Sequence, residues 1–350
     1  MKETPTTGGS VLGTLGLVAI AIVALSIADA YLARTERSEN RAEAERLAAA
    51  GQFKAALAIE RDNPAYWLAL GQAQLAAGEL ADAEGTLTEL LRRDSTAGAA
   101  NLALARVLVK EGRIAEAVSI YHRAIYGRWD RDAEKNRVDV RFELVNLLAQ
   151  QGSKEELLAE LLPLLDVAPD DLGVRERLGR LFLVAGSPVR AEEIFREILR
   201  QHPLDADAYA GLGESEFARE NYQAARSDFQ TAANLRPFDT EILARLKLST
   251  EVLALDPMRR GIGPEEQYQR SLKMLDLATE SIDRCGAAVP GTDTAQKIIT
   301  SHARPAKLSE AVESNLNLAE QLWKSRQQMC KQAPTAEEEP LRLVLAKIAQ

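Results

Sequence analysis

The chain has 350 residues, 46% hydrophobic and 27% charged, a globular rather than a disordered composition that suffices for one large or two ordinary domains. Ala and Leu supply most of the apolar fraction and only 5% of residues are aromatic, which favours helix over strand. A net charge of -9 excludes the cationic footprint that phosphate backbones require, so nucleic acid is not expected as a partner.

Residues 1–10 read as a short tail. From Val11 to Ile27 the chain carries no charge, and the run extends through Ala28 before Asp29 ends it. That length reaches the lower end of the ~17 to 25 apolar residues a spanning helix needs, so a single-pass transmembrane helix or signal anchor is expected over 11–33. No polar face interrupts the run, which argues against a soluble core helix. Ala28-Asp29-Ala30 has the small-x-small form of a signal-peptide cleavage site, which keeps cleavage and export as an alternative. Arg34, Arg37, Arg41 and Arg46 come after the run and only Lys2 precedes it, a balance that points the remainder of the chain toward the cytoplasm. The cleavage-like site and a cysteine pair in the C-terminal segment point the other way, and the extracytoplasmic, periplasmic placement is the one expected.

A linker and a truncated helix pair are expected over 34–63, the pair marked by Leu47, Gly51, Phe53, Ala56 and Leu57. A period then begins. Leu70, Gly71, Gly78, Ala83 and Leu87 return 34 residues later as Leu104, Ala105, Gly112, Ala117 and Tyr121. The next glycine of this kind, Gly152, comes 40 residues after Gly112, so six extra residues are expected as an extended loop within Gly127–Asn136. A second run opens with Leu144, Leu148, Gly152, Leu157, Leu161 and Pro169. It continues at intervals of 34 with Leu178, Gly179, Gly186, Ala191, Phe195 and Pro203, then with Tyr209, Leu212, Gly213, Ala225, Phe229 and Pro237.

Each residue class in the period has a mechanical cause. Gly71, Ala105, Gly179 and Gly213 let two helices approach closely, and Ala83, Ala117, Ala191 and Ala225 answer from the second helix. Gly78, Gly112, Gly152 and Gly186 stand where a first helix ends in a left-handed residue. Pro169, Pro203 and Pro237 end second helices, because the ring removes a donor and clashes with the preceding turn. Two departures stand out: Leu157 replaces the small residue of the third unit, which predicts a more splayed pair, and Glu220 stands where its neighbours have glycine.

Capping helices are expected over 239–350: Asp239–Leu255, Pro264–Arg284, Lys307–Lys331 and Leu341–Ala349. Glu337, Glu338 and Glu339 read as a charge cluster at a helix N-terminus, favourable with its dipole. If a middle segment around Thr294–His302 runs back between the two long helices, Cys285 and Cys330 arrive at one end and can form a disulfide. If that segment is only a tight turn, the long helices are antiparallel and the two thiols stay tens of ångströms apart. His122, His202 and His302 lie too far apart in sequence to suggest a shared metal, and no phosphate loop, nucleophile elbow, His-Glu-x-x-His or dinucleotide fingerprint occurs. No cofactor, no metal and no enzymatic activity are expected.

The five units, 64–97, 98–131, 138–171, 172–205 and 206–239, resemble the tetratricopeptide repeat: an aromatic, then Leu-Gly, then Ala-x-x-x-Phe, then Pro over 34 residues. The resemblance covers 64–237. It implies an all-α fold, a TPR-like right-handed α-solenoid of antiparallel helix pairs, here with one N-terminal transmembrane helix and a C-terminal helical cap. It also implies a concave groove lined by the first helix of each pair. By register, Gln72, Arg106, Lys110, Phe142, Asn146, Gln150, Arg180, Glu214 and Phe217 fall on that groove, as do Glu176 and Asp207. A cationic, amide-rich middle flanked by Phe142, Phe217 and Glu214 suits an extended peptide carrying an acidic group. The Lys-Asn-Asn-Lys-Arg clamp that some members use for chaperone C-termini is not reproduced. The function implied is a membrane-anchored protein–protein interaction scaffold or co-chaperone of the cell envelope, with protein or peptide partners. The alternative is a non-catalytic accessory subunit of an envelope glycan or lipid assembly or transport complex.

Overall fold

The computed structural model describes residues 9–49, 51–286, 289–301 and 304–349, with side chains from residue 29 onward. Among the described residues there are helices α1 to α17 and no strand; one isolated bridge joins Ala97 to Arg128. The helix pairs end as their sequence demands. Gly78, Gly112, Gly152 and Gly186 hold φ of 80°, 77°, 71° and 73°, the left-handed region that terminates a helix at low cost only in glycine. Glu220 takes the same conformation at φ 61°, so the fifth pair turns on a residue that carries a Cβ.

Two compact units divide the chain, residues 1–144 and 145–350. The first contains α1 (Gly9–Ala49), α2 (Phe53–Ile59), α3 (Pro64–Ala77), α4 (Leu80–Arg93), α5 (Gly98–Lys110), α6 (Ile114–Ile125) and the beginning of α7 (Ala133–Gln151). No linker separates the N-terminal run from the first pair: α1 is one helix of 41 residues whose C-terminal end packs on α2, burying Ala44 with Ala56 and Leu57. The span expected at 11–33 falls largely on 11–28, whose side chains lie outside the described residues. Among the described residues no helix is long and apolar enough to cross a membrane.

The six extra residues between pairs do not form an extended loop. Helix α7 begins at Ala133, inside the stretch expected to be irregular, and a tight turn over 126–132 takes up the remainder. The cause lies at the start of α5. Its N-cap residue is Ala97, which has no side-chain acceptor. The turn supplies one instead: Gly98 donates its amide to the Arg128 carbonyl at 2.8 Å, and Arg128 donates to Thr96 at 2.7 Å. Trp129 anchors the turn by donating Nε1 to the Ala124 carbonyl at 2.9 Å, with its indole over Gly98.

The second unit holds the rest of α7, then α8 (Lys154–Val167), α9 (Leu172–Val184), α10 (Pro188–Gln201), α11 (Ala206–Ala218), α12 (Tyr222–Leu235) and α13 (Thr240–Leu255). Its first helices are capped at intervals of 34 by Asp171, Asp205 and Asp239, whose carboxylates accept from Val174, Ala208 and Ile242 amides. The ring of Phe195, fully buried on α10, lies between Gly179 of α9 and Gly211 of α11. A Cβ at either glycine would fall on the ring.

Beyond the repeats, α14 (Pro264–Cys285) and α16 (Leu308–Met329) run parallel. Their partners keep a nearly constant offset: Ser271 with Asn315, Ser281 with Arg326, and Cys285 joined to Cys330 by a disulfide with Cα atoms 5.9 Å apart. The return between them includes α15 (Thr292–Thr300); His302 lies outside the described residues. Helix α17 (Glu339–Ile348) packs on α13 and buries Leu341, Val344 and Leu345.

The acidic run before α17 is not a simple dipole cluster. Glu338 is only 2% exposed and accepts from Ser281 (2.7 Å), the Thr335 amide (2.9 Å) and Arg326 (2.8 Å). Burial alone would raise its pKa. The Ser281 hydroxyl, the Thr335 amide and the guanidiniums of Arg326 and Arg284 outweigh that and hold it below the ordinary carboxylate range. One carboxylate thus ties α14, α16 and α17 together.

Substitutions at these contacts should alter stability in opposite directions. Gly211→Ala overpacks the Phe195 ring and should cost about 1–3 kcal/mol in urea unfolding. Gly85→Ala, exposed on α4 with nothing near its added Cβ, should instead stabilise by about 0.5–1 kcal/mol, and equal effects from the two would disprove the close contact. Arg326→Met removes the buried guanidinium and leaves Glu338 with Arg284 as its remaining countercharge, and should destabilise the cap by about 1–3 kcal/mol. A carboxylate with a depressed folded pKa contributes stability above its unfolded pKa and loses it as pH falls. The deficit of Arg326→Met should therefore shrink on acidification, as read by hydrogen exchange in α17.

Candidate partner-binding cleft

In the first unit the expected groove residues have different fates: Arg106 and Lys110 are bonded within the unit, Phe142 is buried and Gln72 is exposed. Arg106 on α5 makes a bidentate pair with Glu143 on α7, at 2.9 and 2.8 Å, and Tyr121 donates its hydroxyl to the same carboxylate at 2.7 Å. Burial and the neighbouring carboxylate push the Tyr121 phenol well up. The cation expected at mid-groove is therefore neutralised within the unit. Lys110 reaches the Leu75 carbonyl at 3.4 Å, and Gln72 is exposed on α3. Phe142 is not a groove wall but a core residue, 9% exposed. A separate cleft of ≈ 550 Å³ opens beside the 126–132 turn, lined by Leu68, Leu90, Ala97 and Trp129 among others.

In the second unit Asn146 is half-buried and Gln150 exposed on α7. Arg180 on α9 and Glu214 on α11 come together in a single cleft of ≈ 170 Å³ whose third wall is α13. Glu214 is not a free acid: Arg245 of α13 clamps it at 2.5 and 2.6 Å. Its pKa is raised, because burial outweighs that pairing. The Arg245 guanidinium also lies 5.3 Å over the Phe217 ring, which meets Tyr222 edge-on at 5.0 Å. Phe217 is thus held by its neighbours as part of the wall rather than left open.

Sequence reasoning missed Arg245, Glu241, Asp205 and Arg236. Asp205 was legible as a periodic N-cap residue. The α13 residues were not, since that helix lacks the Gly-Ala pairing of a repeat. Beside the cleft, oxygens of Glu176, Asp205 and Asp207 all lie within 4.8 Å of one another. Arg236 forks onto Asp207, and Arg180 reaches Glu176 at 3.7 Å. Burial, then Asp205 and Asp207, push the Glu176 carboxyl up against the opposing pull of Arg180 and Arg236.

Paired helices at 34-residue intervals, with a charged cleft between first helices, define an α-helical repeat protein built for recognition. The tetratricopeptide repeat family matches residues 25–98, 68–134 and 176–240, together half of the chain, and the chain belongs to this family. Among solved structures it is similar to YrrB, described as a TPR protein with an unusual peptide-binding site: 20% identity over 56% of this chain and 97% of that one, TM-score 0.45. The C-terminal part of a TPR repeat-containing protein from Cytophaga hutchinsonii gives 14% over 77% and 98%, TM-score 0.43. PilW, a type IV pilus biogenesis factor, gives 18% over 60% and 98%, TM-score 0.37. With TM-scores under 0.5, none of the three bears on what this chain binds. No curated protein matches it.

A carboxylate whose folded pKa is raised favours the native state at low pH and loses that contribution as pH rises through the folded pKa. Glu176→Gln should accordingly raise the melting temperature at pH 7 and leave it unchanged below about pH 4, where Glu176 is already protonated. An unchanged melting temperature at pH 7 would show that the three carboxylates do not repel.

Proposed function

We propose that this chain is a non-catalytic, membrane-anchored scaffold or co-chaperone that holds partner proteins against the first helices of its pairs, on the extracytoplasmic side. The observation that carries the reading is the cleft between α9, α11 and α13. Its lining joins ion-paired arginines and carboxylates to the apolar Leu183, Ala210 and Ile242, and it contains no Ser, Cys, His or Lys. Such a surface offers charge and shape for recognition. Membership of the repeat family supports a protein or peptide as the bound species. The uncharged run of residues 11–28 supports an anchor, and the Cys285–Cys330 disulfide supports an oxidising compartment.

A photo-cross-linking amino acid in place of Arg180 should capture proteins in native membranes, whereas the same group at the exposed Arg226 of α12 should not. Capture only at Arg226, or of glycan or lipid alone, would reject the scaffold. Alkylation at lysis, before reductant, should leave both cysteines unmodified; two alkylated cysteines would return the repeats to a reducing compartment. Release of the whole chain by alkaline carbonate would reject the anchor.

A further inference from the structure

We propose that the α9–α11–α13 cleft takes an extended segment of a partner protein bearing lysine or arginine, rather than the acidic peptide implied by the register of the first helices. The proposal rests on the scaffold reading and specifies the chemistry of its partner. Three arginines, Arg180, Arg236 and Arg245, stand in and beside the cleft, and each is already matched to a carboxylate: Glu176, Asp207 and Glu214. Asp205, Asp239 and Glu241 then remain as negative charge in excess. Asp205 and Asp239 are held at helix N-caps, which orients their carboxylates but supplies no countercharge beyond the helix dipole; Arg236 approaches Asp239 only at 4.0 Å.

The shape agrees with the charge. At ≈ 170 Å³ the cleft lies below the ~300–1,000 Å³ of small-molecule pockets and is on the scale of a long side chain. Leu183 and Ala210 offer apolar surface to an aliphatic stem, and a cationic head at its end meets carboxylates. An ammonium carries three donors, enough to engage more than one of the carboxylates left in excess, Asp239 and Glu241 in the lining and Asp205 beside it. Asp205 and Asp207 add repulsion to the burial that raises the Glu176 pKa, and an entering cation would relieve that repulsion. An acidic peptide, a lipid phosphate or a nucleic acid would instead add to it.

The test uses the full-length chain with a photo-cross-linking amino acid in place of Leu183, exposed to a library of random dodecapeptides whose captured members are sequenced by mass spectrometry. Captured peptides should be enriched in lysine and arginine, and capture should fall with added salt. The double variant Asp205→Asn, Glu241→Gln keeps an N-cap acceptor on α11 and should weaken capture roughly three- to tenfold. Enrichment of acidic or neutral peptides at this position would overturn the charge assignment while leaving the scaffold reading intact. Peptides captured only at a convex control position would overturn both. Titration with calcium or manganese chloride that saturates at micromolar metal and displaces the peptides would make the cleft a cation site and reject the proposal.

Discussion

The seat of the Phe195 ring between Gly179 and Gly211 is the contact on which the second unit depends. A fully buried aromatic ring on a second helix touches the first helix of its own pair and the first helix of the next. It can do so only where both backbones lack a Cβ. The ring therefore sets how closely α9 and α11 lie side by side, and their facing surfaces form two walls of the charged cleft. Phe229 against Gly213, and Leu87 against Gly71 in the first unit, make the contact within one pair. The period of 34 is the sequence record of this packing: a small residue, a large one, and a helix stop, repeated.

Because first helices stand side by side, charged residues pair between them: Arg106 of α5 with Glu143 of α7 and Arg245 of α13 with Glu214 of α11, while Arg236 joins Asp207 within the fifth pair and Arg180 reaches Glu176 along α9. These ion pairs are half-exposed and add little stability each. Their larger effect is subtractive. Arginines that look available for a ligand are already matched, and the character of the surface is set by the charges that remain.

This explains which parts of the structure were legible in the sequence. The helix pairs, their stops and their close contacts are local and periodic, so a pattern of Gly, Ala and Pro displays them. The cleft residue Arg180, its partner Glu176 and Glu214 were legible by register, but the clamp on Glu214 was not, because Arg245 sits on a helix outside the period. Phe142 was misplaced where the period breaks, between the second and third units. Glu338 had no local signature at all: its partner Ser281 lies 57 residues away, and a glutamate within an acidic run looks like solvent-facing charge.

The same glutamate imposes an order on folding. Arg326 and Ser281 precede Glu338 in the chain, so α14 and α16 can pair during synthesis before the carboxylate that closes the network arrives; until then the guanidinium has the Ser281 hydroxyl and the Gln332 and Ala333 carbonyls but no countercharge. Neutralisation of that guanidinium and the docking of α17 on α13 then come together, since Glu338 stands at the N-cap of α17.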